Sequence, residues 1–236
     1  MNNAAQQSNY HDLAQNFEPK IISSGDYDDI RPVANIRELE AVYRLTHECY
    51  VAKSYVQHQP NGLLLHYPEF DVVPETTVLV AIHAGEVIGS ISFTISQTEG
   101  LTIGQDFREE CLHMEKEGRV LCAIWRLVVK ESHRGSRQVL LGLISEATRR
   151  LLMSRMNSFL LVVNPKHTRI YRRLLNMREV ASKGITEGLN NAPAVLLRGD
   201  RETLPNEWRL ANFAVGSQTP VGLLSLEPFL KSAANS

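Results

Sequence analysis

"LCAIWRLVVKESHRGSRQVLLGLISEATRRLLMSRMNSFLLVVNPKHTRIYRRLL", residues 121–175, decides the fold. It opens on an apolar run broken only by Arg126, the length and composition of a buried strand. The basic turn "KESHRGSRQ" follows. In "VLLGLISEATRRLLMSRM" the apolar residues recur at helical spacing. "SFLLVV" reads as a second strand. Asn164 then ends it: its side chain can cap a helix, and Pro165 suits the first helical position. The helix that opens there carries His167 and Tyr171 four residues apart, hence on one face.

Elsewhere the chain keeps the same alternation. Asn35 precedes "IRELEAVYRLTHECYVAKSY", in which Ile36, Leu39, Val42, Leu45 and Cys49 share a helical stripe. Glu38 completes the pattern of a capping box, so a helix is expected over roughly 36–52. "HQPNGLLLHYPEFDVVPE" is rich in Pro, Gly and aromatics and reads as a long loop. "TTVLVAIHAGEVIGSISFTIS" is a hairpin about "HAGE". "GQDFREECLHMEKEG" is a polar helix with Leu112 and Met114 as anchors, and "APAVLLRGD" is a last strand. Strands interleaved with helices predict a layered α/β fold, a central sheet flanked by helices.

The 236 residues suit one domain with tails. The expected division is a flexible leader over 1–19, a domain over 20–200 and an extension over 201–236 whose "VGLLSLEPFL" packs back. A net charge of −1 argues against a nucleic-acid partner. No apolar run reaches the roughly 20 residues of a membrane helix, and the N-terminus lacks the apolar core of a secretion signal. Cys49, Cys111 and Cys122 form no CxxC pair, which fits free thiols in a reducing cytoplasm. The histidines show no metal-ligand spacing, so no metal is expected.

Four features carry chemistry. The turn after the first strand aims backbone N–H groups and a helix dipole at one point, where an anion would bind. His133, Arg134 and Arg137 add charge there; the alternative is a solvated turn. Tyr171 could protonate a departing thiolate, or be a plain buried tyrosine. Lys166, Arg169, Arg172 and Arg173, with Arg149 and Arg150, form a basic stripe that either meets an acidic partner or faces water. Arg126, on an otherwise apolar strand, needs a partner if buried.

Strand, basic turn, helix, strand, Asn164 and Tyr171 together resemble the acyl-donor half of the GNAT acyltransferase superfamily, whose tyrosine at this place is proposed to protonate the leaving thiolate. "YRLTHECYVAKSYV", "PEFDVVPETTVLVA", "GEVIGSISF", "NPKHTRIYRRLL" and "NNAPAVLLR" narrow the resemblance to bacterial N-acyl amino acid synthases, relatives of the acyl-homoserine lactone synthases. It covers about 36–200. The resemblance implies a GNAT-like fold with a mixed central sheet. It also implies transfer of a fatty acyl group from acyl carrier protein to the amine of an amino acid.

On that reading Tyr171, Trp125 and Arg126 surround the reacting atoms. His133, Arg134, Arg137, Asn164 and His167 hold the phosphopantetheine arm. Asp71 and Tyr67 hold the acceptor, and Lys166, Arg169, Arg172 and Arg173 meet the carrier protein. The Arg126 partner is then either the acceptor carboxylate or a structural Asp or Glu. Leu63, Leu64, Leu65 and Tyr67 of the long loop suit an acyl chain, or simply packing. No cofactor is expected to stay bound.

Three departures stand out. "RGSRQVLLG" lacks the glycine spacing with which acetyltransferases bind coenzyme A, which favours a carrier-protein donor over coenzyme A. Ala123 stands where the lactone synthases have their proposed basic Glu, leaving water, Glu131 or His133. Ser92 replaces an Arg of those enzymes. A coenzyme A-dependent acetyltransferase and a catalytically silent acyl-binding module are the rival expectations.

Overall fold

The computed structural model describes residues 26–71, 73–96, 105–135, 137–186 and 191–205. The expected leader over 1–19 and most of the extension, from 206 on, lie outside the described residues. Along the chain run β1 (Asp29–Pro32), α1 (Ile36–Val51), α2 (Pro68–Asp71), β2 (Thr76–His83) and β3 (Glu86–Ile95). Then come α3 (Arg108–Lys116), β4 (Leu121–Val129), α4 (Arg137–Met153), β5 (Ser158–Val163), α5 (Thr168–Leu174), β6 (Arg178–Lys183) and β7 (Ala194–Asp200). The seven strands form one mixed sheet in the order β1-β2-β3-β4-β5-β7-β6. Only β4 and β5 pair in parallel among them.

Local chemistry sets the elements. Asn35 caps α1 by accepting from the Glu38 N–H at 3.0 Å, and Arg31 grips Glu38 with two bonds of 2.8 and 2.9 Å. The β2–β3 hairpin turns at Ala84 and Gly85, both with positive φ, as a two-residue turn requires. One apolar cluster lies between the sheet and α4, built on Leu79, Ile91, Phe93, Leu143, Ala147 and Phe159. On the opposite face, α1 buries Leu39, Val42, Tyr43 and Leu45 against Val80 and Val128. There too α3 buries Phe107, Cys111 and Met114 against Leu121, Ala123 and Leu160.

Several expectations change. β1 and β6 are additions to the expected strands; both are edge strands, and neither has the apolar alternation that marks a covered strand. The long loop contains the short helix α2. Cys111, not Leu112, anchors α3 beside Met114. The helix after Asn164 begins as a tight turn over Pro165–His167 before α5 starts at Thr168. Arg149 and Arg150 do not join the basic stripe: both bind Glu146 at 2.7 Å, and Arg149 is buried.

Two irregularities position the site. The β4–β5 ladder ends at Ile124 opposite Leu161, although β4 continues to Val129 and β5 to Val163. The parallel strands therefore part at their C-terminal ends. Next to the gap, β4 carries a bulge: Ser92 faces Trp125 and Ser90 faces Val128, so Arg126 and Leu127 together stand opposite Ile91. Arg126 absorbs it with φ +53°.

Candidate active site

A regular strand would send Trp125 and Arg126 to opposite faces. The bulge sends both to the α1 face, where the guanidinium carbon lies 4.2 Å from the Trp125 ring centroid and 5.0 Å from that of Tyr43. Arg126 is only 1% exposed. Its Nη2 donates to Asp71 Oδ2 at 2.6 Å and to the His66 carbonyl at 3.1 Å. Tyr43 donates its phenol proton to the same Oδ2 at 2.7 Å. Burial, then the Asp71 carboxylate, pushes the Tyr43 phenol above its ordinary range, so it remains a donor.

The long loop closes over this pair. His66 lies 4.1 Å from Tyr67 between ring centroids, and Tyr67 lies 5.5 Å from Phe70 and 5.8 Å from Trp125. Burial, then the Arg126 charge, lowers His66 to about 3, so its imidazole is neutral. Tyr67 also has a positive φ, +57°. Two non-glycine residues in this strained region thus flank one compartment, each at a cost of about 1–3 kcal/mol.

Five buried polar atoms on this face lack a protein partner: Arg126 Nε and Nη1, Asp71 Oδ1, and the Ser90 and Ser92 hydroxyls. Each such atom costs about 1–3 kcal/mol. The ion pair is also incomplete. Where Arg31 meets Glu38 with both nitrogens on both oxygens, Arg126 meets a single Asp71 oxygen. Donors and an acceptor are left buried beside the rings of His66, Tyr67 and Trp125.

Across the sheet lies a narrow, partly open apolar cavity. Ile91, Ile124 and Leu127 form its sheet wall, Ile144 and Leu151 of α4 its roof, and Phe159, Leu161 and Tyr171 its far side. It adjoins the gap between β4 and β5, with Tyr171 on its wall. Of the two expectations for the leucines of the long loop, acyl chain or packing, Leu63 and Leu65 follow the second and pack on the α1 cluster.

The donor-side residues scatter more. Asn164 caps its turn, accepting from the Lys166 N–H at 3.2 Å. His167 is lowered to about 4 by burial, then by Lys166 and Lys53, so it brings no charge at neutral pH. Arg134 turns back into the fold, donating to the Val129 carbonyl at 3.0 Å and to Cys49 Sγ at 3.2 Å. His133 lies against His83, 5.7 Å between centroids. Arg137 begins α4, but its side chain lies outside the described residues. Lys166, Arg169, Arg172 and Arg173 are all exposed, with Lys166 over the Tyr55 ring at 5.6 Å.

Sequence reasoning singles out Arg126, Asp71, Trp125 and Tyr67, and the structure brings these four together. It misses Tyr43, His66 and Ser90. Tyr43 carries a signal: a tyrosine on the apolar stripe of a helix must find a partner for its hydroxyl.

A mixed sheet with a bulged β4, parting strands, an apolar cavity at the gap and a phenol on its wall defines an acyltransferase of the GNAT fold. The chain belongs to the N-acyl amino acid synthase FeeM family, whose model matches residues 41–200. FeeM itself, an N-acyl amino acid synthase from uncultured soil microbes, superposes with a TM-score of 0.65 at 19% identity, over 80% of this chain and 98% of that one. BjaI, a coenzyme A-dependent acyl-homoserine lactone synthase solved with MTA, gives 0.56 at 15% identity, over 84% and 92%. A GNAT-family acetyltransferase from Streptococcus pneumoniae gives 0.50 at 14%, over 73% and 98%. No curated protein sequence matches the chain. Among the described residues, no helix is long and apolar enough to cross a membrane.

Proposed function

We propose that this N-acyltransferase joins a long-chain fatty acyl group, delivered as a thioester on acyl carrier protein in the cytoplasm, to the amine of an amino acid. The observation that carries the reading is the buried, half-used pair of Arg126 and Asp71. An α-amino acid has a carboxylate and an ammonium two bonds apart. Arg126 retains free N–H donors for the first, and Asp71 Oδ1 retains an acceptor for the second.

The acyl chain would occupy the apolar cavity, which puts the thioester carbonyl at the gap between β4 and β5. The acceptor amine reaches it through that gap from the α1 face. Attack forms the C–N bond and an oxyanion; collapse breaks the C–S bond, and Tyr171 gives its proton to the thiolate. Most of the acceleration is positioning. Ala123 is buried under α3 and supplies no base. The amine proton leaves to water or to Glu131 or His133 on the turn after β4.

The donor assignment rests on the apolar cavity, the missing glycine spacing in "RGSRQVLLG" and the exposed cationic stripe from Lys166 to Arg173, which suits an acidic carrier protein. The test is mass spectrometry of lipid extracts from a bacterial host expressing the chain, beside a Tyr171→Phe variant. A new N-acyl amino acid is expected, with turnover cut about a hundredfold in the variant. Abundant folded protein without such a lipid would defeat the proposal. Turnover of acyl-coenzyme A alone would reassign the donor.

A further inference from the structure

We infer that Ser90 and Ser92 bind the acceptor carboxylate together with Arg126, an inference that rests on the amino-acid acceptor proposed above. Both serines are fully buried on β3, and neither hydroxyl has a protein partner. Their neighbours Ile91 and Phe93 point to the α4 side. The serines therefore point to the α1 side, as does Thr94, whose hydroxyl accepts from the Trp125 indole at 3.1 Å. Register places them on either side of the bulge: Ser92 opposite Trp125, Ser90 opposite Val128, with Arg126 between.

Donor counting favours a carboxylate. A carboxylate has two oxygens and about four lone-pair sites. Arg126 keeps the Nε–H and both Nη1–H bonds unused, and the serines add two hydroxyl protons. Unused donors so outnumber unused acceptors on this face, and the partner they call for is an anion, while Asp71 Oδ1 remains as the acceptor for the ammonium. A structural account leaves the serines unexplained, because alanine at either position would bury no unpaired hydroxyl.

Purified enzyme and its Ser90→Ala, Ser92→Ala and doubly substituted variants would be assayed with palmitoyl-loaded acyl carrier protein. Acceptors would be the proteinogenic L-amino acids and their carboxamides. Wild-type enzyme is expected to prefer the free acid. Each single variant should raise the acceptor KM about tenfold, the loss of one hydrogen bond to a charged group. Each should also erode the preference for acid over amide by about the same factor. Thermal midpoints should hold or rise, since an unpaired buried hydroxyl is removed. An unchanged acid-to-amide ratio, or a lowered midpoint with both acceptors equally impaired, would overturn the inference while leaving the synthase reading intact. Wild-type enzyme that acylates no amino acid would sink both.

Discussion

Arg126 shows how one side chain can be costly to a fold and still define its chemistry. Its desolvated charge is matched by one carboxylate oxygen and one carbonyl, fewer partners than a buried guanidinium needs. Removing one member of the pair strands the other. Arg126→Met should therefore cost about 3–5 kcal/mol of unfolding free energy. The double change Arg126→Met and Asp71→Leu should recover part of that loss, because no charge is left stranded, although the Tyr43 hydroxyl and the His66 carbonyl lose these partners. Acyl transfer should stay absent in both. Urea unfolding of the two variants beside the parent decides it: a double variant as unstable as the single one would mean that a stranded charge is not the source of the loss.

At the scale of elements, the bulge in β4 is the device that matters. It reverses the face of every later residue, so Trp125 and Arg126 share one face while Leu127 and Val129 reach the α4 side. Deleting Arg126 should restore plain alternation, with Leu127 keeping its present face. Combined with Asp71→Leu, the shortened strand should fold, as judged by a cooperative thermal transition, and should be inactive. Failure to fold would mean that the bulge also serves the sheet. Packing between β5 and β7 is tighter. A Cβ on Gly199 would lie 2.2 Å from the Phe159 ring, so Gly199→Ala should lower stability by about 1–3 kcal/mol in the same assay.

Legibility also divides at this scale. The central strands and their helices are readable because both sheet faces are covered, leaving long apolar runs such as "SFLLVV". Edge strands lack that pressure: "DIRP" and "REVASK" look like loop until their neighbours are known. The bulge leaves no mark except Arg126 in an apolar run. That anomaly points to a buried charge, but the choice between a structural carboxylate and a bound one needs the single-oxygen geometry of Asp71. His66 and Ser90 stay hidden because their meaning depends on residues distant in the chain that pack on the same sheet face, and Tyr43 shows only that it needs a partner.

For the molecule as a whole, desolvated imidazoles tie stability to pH, His66 and His167 most strongly and His47 in the same direction. His66 is held down to about 3 and His167 to about 4, each mainly by burial. In the unfolded chain both take up a proton near 6.5. Below that pH the unfolded state binds more protons than the folded one, so acid favours unfolding. Their contribution is complete above about pH 6.5 and declines as pH falls toward 4, by at most about 1.4 kcal/mol per unit per histidine. His167, held to about 4 rather than about 3, should contribute less than His66. Urea midpoints at pH 7 and pH 5 test the effect above the range where most carboxylates titrate. His66→Phe keeps an aromatic ring against Tyr67 and Tyr50 but cannot take up a proton. The parent should lose stability between the two pH values and the variant should lose less, by up to one histidine's share. Equal losses in both would show that His66 is not held neutral, and the surroundings of Arg126 would then be wetter than its burial implies.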